Sequence, residues 1–289
     1  MLRYLRFLWK CSQTKFQFFS YPPLQKAMFL AENNLSFLAG IYYLDAKEYA
    51  DAATCFENAK AYKHLIITYQ KLGYHHKAID LADQKHYYER GAAISLHIHD
   101  YLKAAYFYSF FNPLEAAKLY KQERHFFEAG YAYLYAYNGL KAIDCFKQCK
   151  NPIQKEKGLK EVSEFALVLY FTKQYEEAFE IFIKLDDYYA ALECAKKLKA
   201  KDLIKSTSLL IGMTEASKKH YTFAAKCVEP FDAELAMYYY SLDHAYKETV
   251  RLLLQSHEYE KALHICLLEN DLNLAYEIAS TYEPTLLSS

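Results

Sequence analysis

A chain of 289 residues with 35 basic and 35 acidic side chains has no net charge, which excludes a general attraction to nucleic acid or to an anionic membrane. Its hydrophobic content of 53% excludes a disordered chain, and seven glycines with six prolines are too few turn residues for a sheet-rich fold. The longest apolar runs, around Ala129 to Tyr137 and Phe165 to Phe171, fall far short of the ~20 residues that cross a bilayer.

The first 31 residues hold five basic side chains (Arg3, Arg6, Lys10, Lys15, Lys26) and no acid. Leu2, Leu5, Leu8 and Trp9 recur there at helical spacing. Residues 1–31 read as a capping helix at the start of a helical array. A helix making peripheral membrane contact and an import signal are the alternatives.

From residue 32 small residues recur with a period of thirteen. Ala52, Ala78 and Ala104 are 26 apart, and Gly91 falls halfway between the last two. Ala117 and Gly130 continue the series, Ala142 comes after twelve, and the period returns between Ala178 and Ala191 and between Ala262 and Ala275. Thirteen residues hold a helix of about ten and a connection of about three. One small residue per helix marks where neighbouring backbones approach, and large residues on either side interlock. Two such helices make a hairpin, and hairpins stack. The residues around Tyr49, Tyr101, Tyr175 and Tyr259 agree, since each tyrosine precedes an alanine by three with a charged residue between, the opening turn of an amphipathic helix.

Gly40, Tyr43, Ala52, Phe56 and Ala59 stand at the spacings of the tetratricopeptide (TPR) consensus. Gly130, Tyr133, Ala142 and Phe146 repeat those spacings, and Ala166, Leu169, Tyr175, Ala178 and Phe182 do so with alanine for the glycine. The chain thus resembles the TPR-like family over three units of about 34 residues, while the intervening hairpins are compressed to about 26 and resemble the short-helix solenoids of coat and transport complexes. The resemblance implies an all-α fold, an alpha-alpha superhelix built as a right-handed solenoid of helical hairpins. The array is placed at residues 32–200, with a less regular continuation over 201–289. Asn151-Pro152 and Glu229-Pro230 read as breaks, and a change of packing is expected between Ala200 and Pro230. The ending after Glu283-Pro284 reads as a frayed tail.

Catalytic patterns are missing from the sequence. There is no phosphate loop, no G-x-G-x-x-G, no H-E-x-x-H and no G-x-S-x-G. His75 with His76, and His97 with His99, lack the convergent set of three or four ligands that a metal needs. Asp186-Asp187 and Glu176-Glu177 read as partners of helix N-termini. The seven cysteines are odd in number and form no C-x-x-C, and Cys145 with Cys149 reads as packing rather than a metal pair. These features point to a reducing, cytoplasmic location and to a protein that is not an enzyme and takes no cofactor or metal. The lysines at 196, 197, 199, 201 and 205 read as a solvated face.

The resemblance also implies a binding surface, because in TPR arrays the first helix of each hairpin lines the groove. The matching positions are Phe37 and Ile41, then Lys63 and Ile67, then Arg124, Phe127, Tyr131 and Tyr135, then Lys160, Tyr170 and Phe171. Such a surface, aromatic with basic points, suits a protein or peptide partner that offers apolar anchors and some acids. The asparagine–lysine clamp of chaperone-binding members is not matched. The expected function is a protein-binding scaffold. The alternatives are an accessory helical-repeat region or subunit of a helicase or ATPase machine, and an RNA-binding helical-repeat protein, which the neutral charge disfavours.

Overall fold

The computed structural model describes residues 17–282, apart from the side chain of Gln17. Most of the basic leader (Arg3, Arg6, Lys10, Lys15 and the Leu2-to-Trp9 stripe) and the tail from Glu283 lie outside the described residues.

Twenty α-helices and no strand are found among the described residues. From α2 to α11 and from α13 to α20 consecutive helices pack on one another, so the chain is an all-α helical repeat. It divides into two compact units, Met1–Leu159 and Lys160–Ser289. The first holds α1 (Gln17–Ser20), α2 (Pro23–Glu32), α3 (Ser36–Asp45), α4 (Tyr49–Asn58), α5 (Tyr62–Lys71), α6 (His75–Gln84), α7 (Tyr88–His97), α8 (Tyr101–Tyr108), α9 (Pro113–Gln122), α10 (Phe126–Tyr135) and α11 (Gly139–Lys147). The long helix α12 (Pro152–Phe171) begins in the first unit and ends in the second. The second continues with α13 (Tyr175–Lys184), α14 (Tyr188–Leu198), α15 (Lys201–Ser217), α16 (Tyr221–Val228), α17 (Ala233–Leu242), α18 (Tyr246–Gln255), α19 (Tyr259–Leu268) and α20 (Leu272–Tyr282).

The thirteen-residue period is the spacing of helix starts. From α3 to α8 every helix begins thirteen residues after the last. The small anchors at 52, 78, 104, 117, 142, 178, 191 and 262 are fully buried alanines. Glycine stands where even alanine would not fit. A Cβ on Gly40 would lie 2.7 Å from the Phe56 ring, one on Gly91 2.5 Å from Phe107, and one on Gly130 2.4 Å from Phe146. In each case the ring sits sixteen residues later, at the same height on the next helix. Gly158 approaches Phe146 from α12 with a 2.2 Å Cβ distance, so that ring is clasped from both sides.

Most of the connections close by one device. Lys47 has φ 63°, its N–H donates to Leu44 O at 3.1 Å, and the Glu48 N–H donates to Tyr43 O at 2.9 Å. These two bonds satisfy carbonyls left open at the helix end, the Schellman pattern. It recurs at Lys60, Gly73, His86 and His99, again thirteen apart. Among the described residues, fourteen such left-handed positions are not glycine, and ten of those are Lys, His or Arg. That bias places cationic or cation-capable side chains at the negative end of each helix dipole. His86, His99 and His257 also bring Nδ1 to the hydroxyl of the tyrosine two residues on, at 2.6, 3.1 and 2.6 Å.

Helices two apart in the first unit lie side by side. Phe37 of α3 meets His64 of α5 at 5.1 Å between ring centroids. Lys103 Nζ and Tyr106 OH of α8 reach Asp83 of α6 at 3.2 and 3.1 Å. Odd- and even-numbered helices therefore form two layers within this unit. The regular period is lost over the seventeen-residue α15, which occupies most of the stretch where the sequence shows no clear anchor.

Candidate functional site

In α10 the sequence Phe-Phe-Glu-Ala-Gly-Tyr-Ala-Tyr-Leu-Tyr turns Ala129, Gly130, Ala132 and Tyr133 inward. Phe127, Tyr131 and Tyr135 then succeed one another at intervals of four along another face. Phe127 and Tyr131 are half-buried, with ring centroids 5.0 Å apart, and both lean on Phe146, at 6.0 and 5.4 Å. Tyr135, one turn on, is 73% exposed. The stripe thus passes from core to solvent along a single helix.

A cleft of about 510 Å³ opens at the N-terminal end of this stripe. Arg124 and Phe127 form one wall, and Lys150, Asn151 and Gln154 form the other. The two walls are inter-helix turns 26 residues apart, which brings them to the same edge of the unit. Arg124 sits at φ 60°, the left-handed end of α9, and its side chain is exposed. Glu123 and Glu128 also line the cleft, and His125 Nδ1 stands 3.7 Å from the Glu128 carboxylate. Asn151 is committed locally, accepting the Ile153 N–H at 3.0 Å. Cys149 is on the same wall, and burial raises its thiol pKa, which keeps it protonated and unreactive. The neighbouring Cys145 is fully buried and pushed up to about 11 for the same reason.

The other sequence-predicted positions are spread over the array. Phe37 packs on Phe56 and His64 and lines a shallow recess of about 260 Å³. Ile41 packs against the core of Ala52, Phe56 and Leu65. Lys63 is exposed and Ile67 half-buried. Phe37 and Ile41 lie on α3 and Lys63 and Ile67 on α5, whereas Arg124 is in the turn after α9 and Phe127, Tyr131 and Tyr135 are on α10. Lys160, Tyr170 and Phe171 belong to the second unit, where Lys160 is exposed, Tyr170 meets Phe171 and Tyr175 edge-on, and Phe171 is 77% exposed. Only Arg124 and Phe127, of the predicted set, line one cleft together.

Lys150 and Gln154 escape a reading that takes Asn151-Pro152 only as a break. The available signal is the doubled period, because turns 26 residues apart share an edge.

Among the described residues no helix is long and apolar enough to cross a membrane. The acidic pairs act at helix ends: Asp187 Oδ1 accepts the Ala190 N–H at 3.1 Å, and Glu176 and Glu177 occupy the first turn of α13. His75 and His97, from different sequence pairs, approach each other to 5.7 Å between rings. No protein-family model matches the chain, and no curated protein matches it.

Proposed function

We propose that this chain is a non-enzymatic, TPR-like scaffold whose first unit docks a peptide segment of a partner protein in the cleft between Arg124 and Lys150. The observation that carries this reading is the stripe Phe127–Tyr131–Tyr135, which starts at Phe127 on the wall of that cleft and runs along α10 to the exposed Tyr135. Rigid aromatics backed by packing are the usual anchors of protein interfaces, because little side-chain entropy is lost when they are covered. Arg124 and Lys150 supply cations at the rim. An acidic residue of the segment meets them while an apolar residue covers Tyr131 and Tyr135. Glu123 and Glu128 place negative charge in the same cleft, so orientation along the cleft is set by charge of both signs.

Affinity capture with the tagged chain at low and moderate salt tests the reading, with bound proteins identified by mass spectrometry. A defined protein retained at moderate salt is expected, and it is lost with Arg124→Glu combined with Tyr131→Ala while circular dichroism stays unchanged. Tyr131 leans on Phe146, so Tyr135→Ala with Lys150→Glu is the companion variant that spares the core. Recovery of nucleic acid alone, released as salt rises, overturns the proposal.

A further inference from the structure

In the second unit, Met237 of α17, Leu253 of α18 and Ile265 of α19 bound an open cleft of about 630 Å³. Thr249 of α18 lies among its lining residues, and Glu260, Lys261 and His264 of α19 complete it. The cleft combines an apolar base with few polar groups, the composition of a binding site.

Thr249 differs from five other threonines of the described residues. Thr54, Thr68, Thr172, Thr207 and Thr214 each donate their hydroxyl to the carbonyl four residues back, at 2.6–3.2 Å. Thr249 is only 8% exposed, yet its Oγ1 is enclosed and has no hydrogen-bond partner among the described residues. The carbonyl it would use, that of Ala245, is shared by the Glu248 and Thr249 N–H groups at 3.2 and 3.4 Å. A buried hydroxyl without a partner is unfavourable, and the cost is recovered when a ligand supplies one. Threonine populates two χ1 rotamers in a helix, so one rotation exchanges Oγ1 with the methyl that lies beside it.

The charge around the cleft is acidic. Lys261 pairs with Glu258, and Glu234 of α17 also acts on it. Glu260 is exposed and joins no ion pair among the described residues. Glu258 and Glu234 therefore both act on the Lys261 ammonium, and Glu260 adds a carboxylate on the cleft's lining.

We propose that this cleft is a second docking site, for a helical segment of a partner protein that carries an apolar residue flanked by lysine or arginine. The apolar residue enters between Met237, Leu253 and Ile265. A polar group of the segment meets the Thr249 hydroxyl, and the flanking cation stands against Glu260 and Glu234. This site is independent of the cleft at Arg124 and selects the opposite charge. With both, the scaffold joins an acidic segment to a basic one.

The test uses the full chain and two fluorescein-labelled synthetic helices with the same leucine face, one flanked by lysines and the other by glutamates, followed by fluorescence anisotropy. The lysine helix is expected to bind this cleft, and any binding of the glutamate helix is expected at the Arg124 cleft, lost with Arg124→Glu and untouched by Glu260→Lys. Glu260→Lys is expected to weaken binding of the lysine helix about tenfold, with the loss shrinking at high salt. Thr249→Val keeps the shape and removes the hydroxyl, and it is expected to weaken binding about fivefold. Arg124→Glu leaves it unchanged. No binding of the lysine helix, or binding of it that is indifferent to Glu260→Lys, overturns the proposal. Loss of its binding on Arg124→Glu also overturns it, because the other cleft is then the site used.

Discussion

In the first unit Gly40, Gly91 and Gly130 each admit the ring of a phenylalanine sixteen residues on, and the seams are filled by those rings. In the second unit the corresponding close approach is Gly212 to Val228, with a Cβ distance of 2.4 Å, and enclosed charge is added. Glu215, 7% exposed, receives Lys218 Nζ at 2.8 Å, His220 Nδ1 at 2.9 Å and the Tyr189 hydroxyl at 3.2 Å. Glu229 receives Arg251 Nη2 at 2.7 Å and the hydroxyl of the fully buried Tyr240 at 2.9 Å. The tie of Asp83 with Lys103 and Tyr106 in the first unit is half-exposed, as the Glu229–Arg251 pair is, and only Glu215 is more enclosed. One periodic backbone thus tolerates two ways of fixing its seams. Shape complementarity alone suffices where phenylalanine fills the space, and ionised groups become part of the packing where it does not. The two units should respond differently to truncation and to acid.

Truncating the seam residue is the strongest way to break this comparison. Phe146→Ala empties a site clasped by Gly130 and Gly158, two backbones that leave no side chain to refill it. Such a change is expected to cost about 3–5 kcal/mol in urea unfolding. Val228→Ala, its counterpart beside Gly212, is expected to cost roughly 1.5–3 kcal/mol because less apolar volume is removed. Equal losses would show that phenylalanine is not what distinguishes the first unit's seam.

Acid separates the units next. Hydrogen bonds from Lys218 and His220 hold Glu215 down at about 2, against an ordinary value of 4.5. Burial pushes Glu229 upward, but hydrogen bonds from Arg251 and Tyr240 outweigh it and leave its pKa lowered. A carboxylate with a lowered folded-state pKa contributes stability above its unfolded pKa and loses it as pH falls through the folded one. The second unit is therefore expected to lose protection as pH drops from about 4.5 to about 2. Hydrogen exchange of peptides from α15 and α16, compared with α7 and α8, reads this directly. Glu215→Gln should lower protection at neutral pH and flatten the acid dependence. A flat dependence in the unaltered chain would mean that the carboxylate networks add nothing to the seam.

The part of this architecture visible in the sequence is the part set by shape. Gly40 with Phe56 and Gly130 with Phe146 stand out because a missing side chain and a large ring at fixed spacing are both rare and local. Ala166 with Phe182 is legible for the same reason, at the same sixteen-residue spacing and both buried. Gly212 with Val228 keeps the same sixteen-residue spacing, yet valine does not advertise itself as a ring does, and the surrounding lysines obscure the period. Glu215 and Glu229 give no signal, because an acid in a helix is ordinarily solvated, local pairs such as Glu215–Lys218 look like surface pairs, and Tyr189 and Arg251 come from 26 and 22 residues away. The candidate site was half legible. The aromatic stripe of α10 is readable from i, i+4 spacing, while its facing wall at Lys150 depends on which turns share an edge, a property of the stacking.

The smallest effect concerns the left-handed connections, which both units share. Lys47 holds φ 63° with a Cβ, a conformation that glycine adopts without the clash. Lys47→Gly removes that strain but frees the unfolded chain and deletes a cation at a helix C-terminus, so the net gain is about 0.5 kcal/mol. His86→Gly removes the same strain and also the contact of Nδ1 with the Tyr88 hydroxyl at 2.6 Å, which offsets the gain. Thermal unfolding of the two variants side by side should show a small rise for the first and none for the second. A rise in both would mean that the histidine–tyrosine contact adds nothing to the turn, and that the recurrence of histidine at His99 and His257 has to be sought in what their edge of the array presents to solvent.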